Sequence, residues 1–109
     1  MNEEDALSAL AALAHPTRLA TFRLLVRHEP QGLVTGQLVE AMGLSQSTLS
    51  THLAVLVKAG LVQSEKSGRN FIQRAQIDRL RALMLFLARD CCEGRADLCE
   101  PLFADLAVC

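Results

Sequence analysis

Apolar residues recur through most of the chain at spacings of three and four, and less regularly in one short stretch after Gly60. The first recurrence predicts helices buried along one stripe, and the stretch after Gly60 a pair of strands. Between Gln46 and Lys58, the residues Leu49, Leu53, Leu56 and Val57 fall on one side of a helix, which makes that side the packed one. Ser47, Thr51 and Lys58 take the opposite side, flanked by Thr48, Ser50, Ala54 and Val55. Ser45 is placed to cap this helix by accepting from a free backbone N–H, and Gly43 can adopt the left-handed conformation that stops the helix before it. Two helices therefore meet at a tight corner.

The same pattern divides the rest. Residues 3–14 predict a helix carrying Leu7, Leu10 and Leu13, with acids in its first turn where the dipole favours them. Pro16 cannot continue that helix and opens another, to about residue 28, with Leu19, Phe22, Leu25 and Val26 inward. His15, at the break, reads as a capping or surface histidine, since no thiol or carboxylate accompanies it at ligand spacing. Residues 29–32 form a turn, and Thr35 is expected to cap a short helix over 36–42 that holds Leu38 and Met42 beneath the next one. Beyond Gly60, residues 61–66 and 70–75, joined through Ser67-Gly68-Arg69, predict a β-hairpin. From Ile77 to about residue 92 the most apolar helix carries Leu80, Leu83, Met84, Leu85, Phe86 and Leu87, more than one face of a small monomer can bury. Packing of its second side, with the Ala/Leu-rich first helix, against another copy predicts a homodimer. The expected fold is mainly α with a small β-hairpin wing: a winged helix-turn-helix over residues 1–92, dimerised through its N- and C-terminal helices, then a cysteine-containing tail over 93–109.

A chain of 109 residues, half of them apolar, suits one domain with a modest core. Its net charge of −1 says little, but the charges are unevenly placed. From Leu44 to Gln76, Lys58, Lys66, Arg69 and Arg74 stand against Glu65 alone, whereas from Ile77 onward four arginines face six acids. No apolar run approaches a membrane span, and the acidic first residues are the wrong charge for a secretory signal, so a cytoplasmic protein with reduced thiols is expected.

The basic side coincides with the hydroxyl-lined helix. An ordinary solvated helix face carries Glu, Lys and Arg at i,i+4 spacing; between Gly43 and Ser64 there is one lysine and no acid. Short hydroxylated side chains let a helix approach duplex DNA closely and bond to phosphates or base edges in the major groove. The candidate contacts are Gln46, Ser47, Thr48, Ser50, Thr51, His52 and Lys58 on the helix, and Lys66 and Arg69 in a hairpin whose tip can lie on the backbone. A dimer would address double-stranded operator DNA as an inverted repeat.

All four cysteines lie from position 91 onward: Cys91, Cys92, Cys99 and Cys109. A vicinal pair with a third thiol suits a soft ion that accepts three sulfurs in a pyramid, such as trivalent arsenic or antimony. Four thiolates would equally complete a tetrahedral zinc or cadmium site, and buried thiols or incidental disulfides are the bland readings. There is no Cys-x-x-Cys at a strand-to-helix turn in an alternating βα pattern, so no thiol enzyme is expected.

Several strings resemble the ArsR/SmtB family of bacterial winged-helix repressors: His15-Pro16-Thr17-Arg18-Leu19; Leu44 through Leu53, with Leu56 and Ala59-Gly60-Leu61-Val62 after it; and Lys66-Ser67-Gly68-Arg69. The likeness covers about residues 5–88. Val39 stands where helix-turn-helix proteins commonly have Ala, and Thr51 where the family often has a basic or bulkier residue. The resemblance implies a dimeric repressor that leaves its operator on binding an effector. The Cys-x-Cys pair many members carry before the recognition helix is absent from residues 34–42, and residues 77–109 contain no histidine for the C-terminal zinc site of others. Arsenic-responsive members carry a Cys-Cys pair and a nearby third Cys at the end of the last helix, which transfers the ligand role to Cys91, Cys92 and Cys99, with arsenite or antimonite as effector. A thiol redox or persulfide switch on the same fold is the alternative.

Overall fold

Three helices of this chain begin at a residue whose side chain satisfies a free N–H group of the first turn. The computed structural model describes residues 1–89 and 96–107. Its elements run α1 (Glu3–Leu13), α2 (Pro16–Arg27), β1 (Leu33–Val34), α3 (Thr35–Met42), α4 (Gln46–Lys58), β2 (Val62–Ser67), β3 (Asn70–Ala75), α5 (Ile77–Ala88) and α6 (Ala96–Ala107). Asn2 Oδ1 accepts from the Asp5 N–H at 2.7 Å, His15 Nδ1 from Thr17 at 3.1 Å, and Ser45 Oγ from Thr48 at 3.2 Å. The start of α3 differs from expectation. Val34 is its cap residue, donating its backbone N–H to Gln37 Oε1 at 3.0 Å, and Thr35 lies inside the helix. Gly43 closes α3 at φ 66°, a conformation that strains a residue with a Cβ, and this sets the sharp entry into α4.

The core is a leucine cluster around α4. Leu49 and Leu56 are fully buried and Leu53 nearly so, against Phe22 and Leu25 of α2, Leu38 of α3, Leu61, and Leu83 of α5. Full burial of one such side chain contributes roughly 1.5–3 kcal/mol, so α4 is fixed in place mainly by this stripe. Two apolar residues expected inside, Leu19 and Val57, are exposed, each at the edge of its helix's buried stripe. α1 buries Ala6, Ala9 and Ala12, leaving Leu7 and Leu10 exposed, because the alanine face lets its backbone come close to its neighbours.

The hairpin belongs to a three-stranded antiparallel sheet of order β1-β3-β2. β2 pairs with β3 from Val62↔Ala75 to Ser67↔Asn70, leaving Gly68-Arg69 as a two-residue turn. β1 pairs Leu33 with Gln73 and Val34 with Ile72. Just before it, Gly32 at φ 73° crosses β3 so closely that a Cβ would sit 2.6 Å from the Gln73 carbonyl oxygen.

α5 ends at Ala88, short of the expected residue 92. Cys91, Cys92, Cys109 and the expected domain boundary at 92/93 lie outside the described residues. Much of what was expected to be tail is α6, which carries Pro101 internally. No helix among the described residues is long and apolar enough to cross a membrane.

Candidate nucleic-acid interface

The α3–α4 corner presents the outer side of α4 to solvent. Gln46, Ser47, Thr48, Ser50, Thr51 and Lys58 are all exposed, as are Ala54 and Val55 between them. Their hydroxyls differ in what they have left to give. Ser45 Oγ donates to Thr48 Oγ1 at 2.9 Å and lies 3.3 Å from Ser47 Oγ, a hydroxyl cluster at the helix start. Thr51 Oγ1 donates to the Ser47 carbonyl at 3.0 Å, so outward it offers its methyl group and lone pairs. The first N–H groups of α4 point out of the same end, with the positive end of the helix dipole, as a phosphate requires.

The wing adds cations. Lys66, near the end of β2, and Arg69, in the turn, are both exposed. Arg74, counted with them on sequence grounds, is committed elsewhere. Its guanidinium bridges Glu29 and Glu65, each at 3.7 Å, and Glu29 Oε1 also accepts from the Ala75 N–H at 3.0 Å. The positive potential of this face therefore rests on Lys58, Lys66 and Arg69.

His52 does not join them. Its ring centroid lies 4.6 Å from that of His15, and its Nδ1 is buried with no hydrogen-bond partner among the described residues. Burial, then the neighbouring His15 and Arg18, holds its pKa below the ordinary histidine value, so the neutral ring is favoured. Position 52 is three residues after Leu49 and four before Leu56, which turns it toward the buried stripe. That spacing was the signal available. His52 belongs to the joint between α4 and the start of α2, where Arg18 Nε also donates to the Ala12 carbonyl at 2.6 Å.

Gln73 was missed. It is buried on β3, accepts from Ser64 Oγ and donates through Nε2 to Thr35 Oγ1 at 3.2 Å, and Thr35 Oγ1 reaches the Phe71 carbonyl at 3.4 Å. This relay ties the wing to the first residue of α3. A polar residue in register with the buried Val62 and Ala75 was its only sequence signature.

Away from this face several large apolar side chains are exposed: Leu7 and Leu10 of α1, Ile77, Leu85 and Leu87 of α5, and Leu102 and Leu106 of α6. Among the described residues no group of three or more His, Cys, Asp or Glu could hold a metal ion. The expected ligands Cys91 and Cys92, and the side chain of Cys99 on α6, lie outside what is described.

A helix-turn-helix domain family matches residues 13–65. The transcriptional activator HlyU of Vibrio cholerae is 33% identical over 93 residues, 85% of this chain and 83% of HlyU. A structure of reduced HlyU superposes with a TM-score of 0.64, covering 84% of this chain and 93% of that one. An ArsR-like transcriptional regulator from Rhodococcus sp. RHA1, 28% identical, gives a TM-score of 0.74 over 87% of both chains. A homodimeric winged helix-turn-helix DNA-binding domain from Mycobacterium bovis, a possible ArsR-family regulator, is 25% identical with a TM-score of 0.64, covering 84% of this chain and 85% of that domain.

Proposed function

The chain belongs to the ArsR/SmtB family of winged helix-turn-helix transcriptional regulators, and from that premise we propose that it is a cytoplasmic, homodimeric, metalloid-responsive repressor. It holds double-stranded operator DNA when empty and releases it on binding arsenite or antimonite. The observation that carries the DNA-binding half is the outer face of α4: exposed hydroxyls and an amide, no acid, and Lys66 and Arg69 in the adjoining wing. The apolar residues left outside on α1 and α5 are what a second copy would cover, and the M. bovis relative is a homodimer. Two α4 helices then meet half-sites about one helical turn apart on an inverted repeat.

The effector half rests on the thiols. Cys91, Cys92 and Cys99 supply three thiolates to a pyramidal ion, and residues 93–109 complete the site. The vicinal pair follows α5 within a few residues, so ordering of the cysteine segment would tilt the dimerisation helix and change the separation of the two α4 helices. A coupling of about 1–3 kcal/mol weakens DNA binding roughly 5- to 150-fold.

Titration of the DNA-bound homodimer with arsenite, followed by anisotropy of labelled operator and by sulfur-to-arsenic absorption, tests this reading. Release in step with absorption is expected, with Cys92→Ser blocking both. Operator binding indifferent to arsenite overturns the assignment. One observation favours a second effector: a relative of similar length has been solved in a reduced form. In a redox switch two thiols form a disulfide and pass two electrons and two protons to a peroxide. Release by peroxide but not by arsenite would select it.

A further inference from the structure

Cross-strand partners share a face of a sheet, so Val62, Ser64 and Lys66 on β2 lie on one side with Ala75, Gln73 and Phe71 on β3. Val62, Gln73 and Ala75 are buried, which turns that side toward the helices. Nearer the hairpin turn the same side comes clear of the core. There Phe71 is 49% exposed, beside its partner Lys66, and across from it α4 leaves Val57 40% exposed. Between helix and sheet runs a groove with Ala54, Val57 and Phe71 as its apolar floor and Gln46, Ser50 and Ser64 among its polar walls.

We propose that this groove is a second DNA-contact surface, which seats the deoxyribose-phosphate strand running between the duplex groove occupied by α4 and the wing tip, with Phe71 packed on sugar carbons. The inference rests on the DNA-binding reading above and adds a residue that neither charge nor helix position points to. Three observations select a nucleic-acid strand as occupant. The groove is continuous with the outer face of α4, since Gln46 and Ser50 belong to both. Its lining includes no acid, and Glu65, the one carboxylate on the hairpin, sits on the opposite side paired with Arg74. Its chemistry is mixed as a strand's is: the Ser50 and Ser64 hydroxyls in its lining, with Lys66 as the cross-strand neighbour of Phe71, suit phosphate oxygens, and the ring and Val57 suit the carbons between them. The Ser64–Gln73–Thr35 relay lies in its lining and ties β2 and β3 to α3.

The test uses the full-length homodimer and a labelled mixed-sequence duplex, with anisotropy titrations across a range of salt. Phe71→Ala should weaken binding about 5- to 20-fold, as expected for losing a ring's worth of apolar contact. The factor should be the same at every salt concentration, because no phosphate charge is lost. Lys66→Ala should instead flatten the log–log salt dependence by about 0.9. Phe71→Leu, which keeps most of the apolar area, should recover most of the affinity, with melting temperature and dimer mass unchanged in all three variants. Wild-type affinity in Phe71→Ala overturns the proposal, and so does a loss of dimer mass, which would assign the groove to a second copy. Phe71→Leu binding as weakly as Phe71→Ala also overturns it, by pointing to stacking on a base. A wild-type protein that binds no duplex even at low salt is a separate result, and defeats the regulator reading itself.

Discussion

Helices α4 and α5 are nearly equal in length, 13 and 12 residues, and each buries a stripe of large apolar side chains in the common core. They differ in what they leave outside. α4 shows Ser47, Thr48, Ser50 and Thr51, whereas α5 shows Ile77, Leu85 and Leu87. The buried stripes are chemically interchangeable and say only that both helices belong to this domain. The outer faces assign the partners, a hydrated polyanion for one and an apolar protein surface for the other.

The sharpest way to break this contrast is to put a carboxylate on each outer face in turn. Leu85→Glu, or Leu10→Glu on α1, should convert the dimer to monomer by sedimentation and lower DNA affinity about 100-fold or more, since two α4 helices no longer engage the duplex together. Thr51→Glu should leave the sedimentation of the dimer unchanged while still weakening DNA binding at least about 10-fold, by setting a negative charge against phosphates. Equal damage to dimer and DNA binding from both substitutions would abolish the distinction. A smaller effect is expected from pH. Folding holds the His52 pKa below the ordinary value of about 6.5, so the folded state gives up stability as pH falls below that value and the unfolded chain takes the proton first. Melting temperature should therefore decline between about pH 6.5 and 5, and His52→Gln should flatten the decline. The smallest effect belongs to Arg69→Ala, a loss of a few-fold on all sequences alike with the salt slope reduced by about 0.9.

Much of the helix-turn-helix was legible because its signals are local. Ser45 caps its own helix, Gly43 ends the one before, and Leu49, Leu53 and Leu56 mark a single stripe. Features fixed by distant partners were harder to see. β1 is only Leu33-Val34, and two residues have no periodicity; they form a strand because β3 is there to pair with. The inward face of α1 is alanine, so counting leucines picks the wrong side, and the correct choice depends on how closely the neighbouring helices approach. Arg74 looked like one more cation for DNA until Glu29, 45 positions earlier, was brought beside it. In the candidate interface, Gln46, Ser47, Thr48, Ser50, Thr51, Lys58, Lys66 and Arg69 fall on exposed positions as periodicity and turn chemistry expect. Gln73 escaped because it is defined by contacts across the fold, whereas His52 was readable from its spacing to Leu49 and Leu56.

The strand order has a practical consequence. Because β1 leads straight into α3 and pairs with β3 on the side opposite β2, the hairpin is held along its β3 edge by the segment that aims the reading helix. A chimera that borrowed only α3 and α4 would leave the wing in another protein's register, and one that borrowed only the wing would lose its third strand. The transplantable cassette is residues 33–75 taken whole, with the host supplying the helices on either side.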